Sequence, residues 1–151
     1  MRTSEVFAGV VREQFKNLTG ELPHDKASIT ETSERGLLRL RLDPKSASSS
    51  PLEILIEAGA GCTVFIGAYG RFEHLAEDAD LIAGFVGAAI SGRVHEKVWE
   101  LNAKPFRAVT KVQIGEVLFI HKWRSLIGML PKLMFSPWIR TREIQYKPYS
   151  G

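Results

Sequence analysis

Ten consecutive residues, 81–90, carry no polar side chain: Leu-Ile-Ala-Gly-Phe-Val-Gly-Ala-Ala-Ile. A run of that length is about half of the ~20 residues that a helix needs to cross a bilayer, so it is expected inside protein. Glu77, Asp78 and Asp80 lie before it, where carboxylates oppose the positive end of a helix dipole. Gly92 follows it, where a helix can end in the left-handed conformation. Residues 76–91 therefore read as a helix. Leu81, Ile82, Phe85, Val86, Ala89 and Ile90 give this helix a bulky side. Ala83, Gly84, Gly87, Ala88 and Ser91 give it a smooth side that a neighbouring element can approach closely. The rest of the chain has to wrap this rod.

One further helix and a series of alternating stretches are available to do so. Val6, Phe7, Val10, Val11, Phe15 and Leu18 recur at helical spacing and predict an amphipathic helix over 5–18, capped by Thr3 or Ser4 and stopped at Gly20. The period then changes to two. Leu38, Leu40 and Leu42 alternate with Arg39 and Arg41, and this strand is expected to pair with 28–32 through a turn at 33–36. A serine-rich connection, 45–51, leads to a second hairpin of 52–57 and 62–69, in which Gly67 and Gly70 mark a bulge or a close approach by another part of the chain. Residues 93–102 suit a strand better than the helix that Val94, Val98 and Leu101 would also allow. Stretches 106–114, 117–122 and 138–146 extend an antiparallel meander. The expected fold is α+β: a mainly antiparallel curved sheet of about seven strands, packed by an N-terminal helix and a central apolar helix, in a single domain over 1–151.

Cys62 is the sole cysteine, so no internal disulfide forms, and the chain suits a reducing compartment. Its first residues alternate charged and apolar side chains, unlike the apolar core of a secretory signal. A cytoplasmic location is expected. The net charge is only +3, but the charges are segregated. Residues 51–103 carry three basic and eight acidic side chains, and residues 104–151 carry nine basic and two acidic. The two regions can neutralise each other across one fold, or the basic end can face an anionic partner.

Familiar catalytic arrangements fail one by one. His95-Glu96 begins like a zinc-protease helix, yet Trp99 stands where the second histidine is needed. Gly59-Ala60-Gly61 follows a strand as a dinucleotide turn would, but Val64 occupies the third small position. There is no phosphate loop, nucleophile elbow or calcium loop. Cys62 shares parity with Val64 and Ile66, which points to packing in preference to a nucleophile served by His74, His95 or His121. Glu53 and Glu57 lie on one strand face, a pairing that could do acid–base chemistry and that any solvated strand also displays. No catalytic residue, cofactor or metal set is assigned.

The most unusual stretch is 121–142. Cations bracket an apolar middle bearing Met and Trp, a make-up found in partner-binding segments. The candidate binding residues are Lys122, Trp123, Arg124, Met129, Lys132, Trp138, Arg140 and Arg142. The competing reading makes 123–137 a cover over one mouth of the sheet. The leading expectation is a non-enzymatic protein–protein interaction module, of the small bacterial binding or inhibitor type, with a protein partner. One alternative is a small-molecule binder or small hydrolase with a cavity between the central helix and the sheet, rimmed by Glu53, Glu57, His74 or His95. The other is nucleic-acid binding through the basic C-terminal third, where Arg107 and Lys111 share one strand face.

Overall fold

The computed structural model describes residues 2–125 and 137–149. Helix α1 (Arg2–Thr19) buries Phe7, Val11 and Phe15, which stand one above another at intervals of four. Thr19 closes it by donating its hydroxyl to the Phe15 carbonyl at 2.7 Å. The predicted stripe is wider than the one that packs: Val6, Val10 and Leu18 remain exposed. Val6 and Val10 each lie about 100° around the helix from Phe7 and Val11, because 3.6 residues make a turn, whereas Leu18 shares the buried side but sits in the last turn.

Five strands follow as a meander: β1 (Ala27–Glu34), β2 (Leu37–Pro44), β3 (Leu52–Glu57), β4 (Gly61–Ile66) and β5 (Gly70–Leu75), hydrogen-bonded in that order. Period-two alternation sends Leu38, Leu40, Leu42, Leu52, Ile54, Ile56, Cys62, Val64 and Ile66 to one buried face. The antiparallel register aligns Leu40 with Ile54 and Ile54 with Val64, so apolar residues meet across β2, β3 and β4.

Helix α2 (Ala79–Ser91) begins three residues later than the sequence suggests, because Asp78 caps it. The Asp78 carboxylate accepts from the amides of Asp80 and Leu81 at 3.0 and 3.3 Å. Gly92 ends it at φ 75°. The helix is the expected interior rod, burying Ile82, Phe85, Val86, Ala88 and Ala89. Its smooth side admits a close neighbour, since a Cβ on Gly84 would stand 2.5 Å from Cγ2 of Ile114.

Beyond the helix, β6 (Val94–Leu101), β7 (Lys104–Ile114), β8 (Val117–Arg124) and β9 (Ile139–Gln145) form a second antiparallel sheet in the order β8-β7-β6-β9. Residues 93–102 are therefore strand, as expected. The single curved sheet of about seven strands is corrected to two sheets of five and four. Alternation fixes which face of a strand is buried but not which edge it joins. The α2 crossing carries the chain to a new edge, and β5 and β8 meet through side chains. Phe72 of β5 lies 6.3 Å from the Phe119 ring and 5.9 Å from the His121 ring of β8. One connected apolar core takes residues from α1, both sheets, α2 and the C-terminal Tyr146 and Tyr149. No helix among the described residues is long and apolar enough to cross a membrane.

Candidate interaction surface

The four-stranded sheet has one face on the core and one in solvent. Val94, Glu96 and Val98 of β6 point inward with Phe106, Ala108, Thr110 and Val112 of β7. The intervening residues form the outer face, and the register sets them side by side. One row runs Ile120, Lys111, His95, Gln145; the next Lys122, Val109, Lys97, Glu143; the next Arg124, Arg107, Trp99, Thr141. Lys97, Arg107, Lys111, Lys122 and Arg124 thus share one surface with a single carboxylate, Glu143, which faces His95 at 3.8 Å. None of those five cations ion-pairs with a carboxylate among the described residues.

Trp99 lies in the last of these rows, beside Arg107 and two residues along β6 from Lys97. The Arg107 guanidinium lies 4.5 Å from the centre of a Trp99 ring and the Lys97 ammonium 5.2 Å away, both within cation–π range. The Arg107 Nε is buried and lacks a hydrogen-bond partner among the described residues. Ile120 is half exposed in the same surface.

The predicted binding residues do not form one patch. Lys122 and Arg124 lie on the outer face, as just described. Trp123, one step along β8, points to the other side, where its ring packs 5.1 Å from Tyr69. Arg140 and Arg142 stand opposite Glu100 and Val98 and so share the inward side of the sheet; Arg142 grips Glu100 at 3.1 Å. Trp138 is exposed and, with Glu100, Asn102, Ala103 and Arg140, lines a cavity of about 280 Å³. Met129 and Lys132 lie outside the described residues. Strand parity is what divides the set, since a segment read as one unit places alternate residues on opposite faces.

Sequence reasoning missed Glu96, the best-connected charged side chain within the fold. It is fully buried. One carboxylate oxygen accepts from the Ala68 amide at 2.7 Å and the Tyr146 hydroxyl at 2.6 Å. The other accepts from the Tyr69 amide at 2.9 Å and the Thr110 hydroxyl at 2.6 Å. The β4–β5 turn of the first sheet is thereby tied to β6, β7 and the end of β9. Gly67 makes room: it sits at φ 70°, and a Cβ there would lie 2.7 Å from Glu96 Oε1. Burial, and after it the Glu96 carboxylate, pushes the Tyr146 hydroxyl above its ordinary pKa. The available signal was parity, because Glu96 falls on the Val94 and Val98 side of its strand. The same alternation puts His95 on the opposite face.

The other candidate chemistry is dispersed. Cys62 is buried under β3, and burial pushes its thiol up to about 11. Glu53 is held by Arg39 at 2.9 Å on the outer face of the first sheet. His121 turns inward beside Phe72. Between α2 and the sheets, Phe85 stands 5.1 Å from Phe72 and 5.3 Å from Phe119. No three His, Cys, Asp or Glu side chains among the described residues gather as a metal site. Compared with protein-family models, with curated proteins and with solved structures, the chain matches none.

Proposed function

We propose that this protein is a non-enzymatic interaction module whose working surface is the outer face of β6, β7 and β8, and that its partner is polyanionic. One observation carries the reading: the face that bears Trp99 holds five cations, none of them ion-paired with a carboxylate among the described residues, whereas Arg39, Arg41 and Arg71 on the five-stranded sheet are each paired. Fixed positive charge on a flat face steers an anionic partner and rejects a basic one. The aromatic rings beside α2 favour this reading over the cavity-using enzyme, since they fill the space that such a cavity needs. Glu53 and Glu57 lie on the outer side of the other sheet, away from α2, and Glu53 is already paired with Arg39.

Retention of the full chain on immobilised polyanions, between about 50 mM and about 200 mM salt, tests the proposal. Strong retention at low salt that falls steeply is expected, together with its loss in Lys122→Glu/Arg124→Glu and its persistence in Lys45→Glu. Absence of retention on every polyanion, or equal loss in Lys45→Glu, would overturn it.

A further inference from the structure

We infer that the polyanion is single-stranded nucleic acid, an inference that rests on the interaction-module reading above. Shape argues first. Three inter-strand spacings of about 4.8 Å make a platform roughly 14 Å wide. The major groove of duplex DNA is about 12 Å wide and admits a helix or a two-stranded ribbon. A four-stranded face does not enter it, but it can lie beneath an unpaired strand.

Chemistry argues second. A single strand alternates phosphates with flat, apolar bases, and this face alternates cations with Trp99, Val109 and Ile120 in the same register. Base stacking on aromatic rings and on guanidinium planes is the sequence-tolerant part of single-strand binding. The Arg107 guanidinium over Trp99 offers both surfaces in one stack. An acidic peptide offers carboxylates alone, and an extended peptide gains most from pairing with a sheet edge, not from lying on a face.

A third argument comes from the cost of the arrangement. Arg107 and Arg124 stand directly opposite each other on neighbouring strands. Like charges in that position destabilise a sheet. A phosphate seated between two guanidiniums turns the repulsion into two charge-assisted contacts, and it gives the Arg107 side chain an acceptor.

Fluorescence anisotropy with a labelled single-stranded oligonucleotide of about 12 nucleotides, a size set by known single-strand sites, tests the inference. Competitors are the same sequence as duplex, polyglutamate and heparin. The single strand is expected to bind best, with log affinity against log salt sloping at about −0.7 for each phosphate neutralised. Lys122→Gln should reduce that slope by about one contact. Trp99→Ala should weaken binding about ten- to a hundredfold, as loss of a stacking ring does. Trp99→Phe should restore most of the affinity, which separates stacking from folding. Polyglutamate or heparin binding as tightly as the oligonucleotide, or duplex preferred over single strand, would sink the nucleic-acid inference and leave the module intact. Failure of all four probes to bind would remove both.

Discussion

The two sheets show solvent faces of the same kind with opposite electrostatics. On the five-stranded sheet Arg39 pairs with Glu53 at 2.9 Å, Arg41 with Asp43 at 3.2 Å, and Arg71 with Glu73. Every arginine there has its carboxylate, and Arg71 also covers Phe65. On the four-stranded sheet five cations have none among the described residues, and two of them crowd one tryptophan. The first face is neutralised by its own side chains; the second is not, among the described residues. Net charge hides this difference, because +3 is a sum in which the acidic residues of 51–103 offset the basic residues of 104–151.

The contrast matters only if both sheets belong to one cooperative unit, and Glu96 is the residue that joins them. Replacing it by alanine should produce the largest effect in the molecule. Four donors would lose this acceptor, among them the buried hydroxyls of Thr110 and Tyr146; each unsatisfied buried group costs about 1–3 kcal/mol, so a loss of about 3 kcal/mol or more is expected in urea unfolding. Amide exchange should quicken in β4–β5 and in β6–β7 together. Faster exchange confined to β6 would show the sheets to be separately stable and would break the comparison.

Alkaline pH should destabilise the fold as a whole, with a smaller effect. Cys62 is held up at about 11 against 9.0 in the unfolded chain, and Tyr146 and Tyr149 are raised above 10.0, in each case chiefly by burial. Above pH 9 the unfolded chain releases protons that the folded chain retains, so stability must fall as pH rises. The contribution is complete below pH 9 and is lost upward from there. Cys62→Ala should flatten the early part of the decline and Tyr149→Phe the later part, read from urea midpoints between pH 8 and 11. A midpoint that stays level across that range would show that these groups are not buried together.

Which parts of this were legible in the sequence depends on how local their cause is. The α2 rod was legible because its cap, its apolar run and its terminal glycine lie within one segment. Strands β2, β3 and β4 were legible because alternation is local too. Strand β5 was not, since Phe72 is its one deeply buried large residue and a register shift interrupts its pairing with β4. The split into two sheets is a matter of edges, which no single strand encodes. For the binding surface, Lys122 and Arg124 were found by composition, but their neighbours Lys97, Trp99, Arg107 and Lys111 reach them only through the β6–β7–β8 register. Residues 147–149, which carry no alternation to read, are a tie: the Tyr149 amide donates to the Ile90 carbonyl, its hydroxyl to the Ser50 carbonyl, and the Lys147 amide to the Ser48 carbonyl at 2.8 Å.

The smallest expected effect discriminates most sharply between the two faces, because its sign differs between them. Arg39→Gln on the five-stranded sheet removes the partner of Glu53 and should cost up to about 1 kcal/mol, the ceiling for an exposed pair. Arg124→Gln on the four-stranded sheet removes a like charge opposite Arg107 and should stabilise the free protein by about 0.2–1 kcal/mol. Both changes should shrink as salt shortens the Debye length. Urea unfolding of the two variants at low and high salt measures them side by side. A loss of stability in Arg124→Gln comparable to that in Arg39→Gln would mean that the second face, like the first, is satisfied from within. A gain in stability joined to weaker oligonucleotide binding would instead locate function where the fold tolerates its own repulsion.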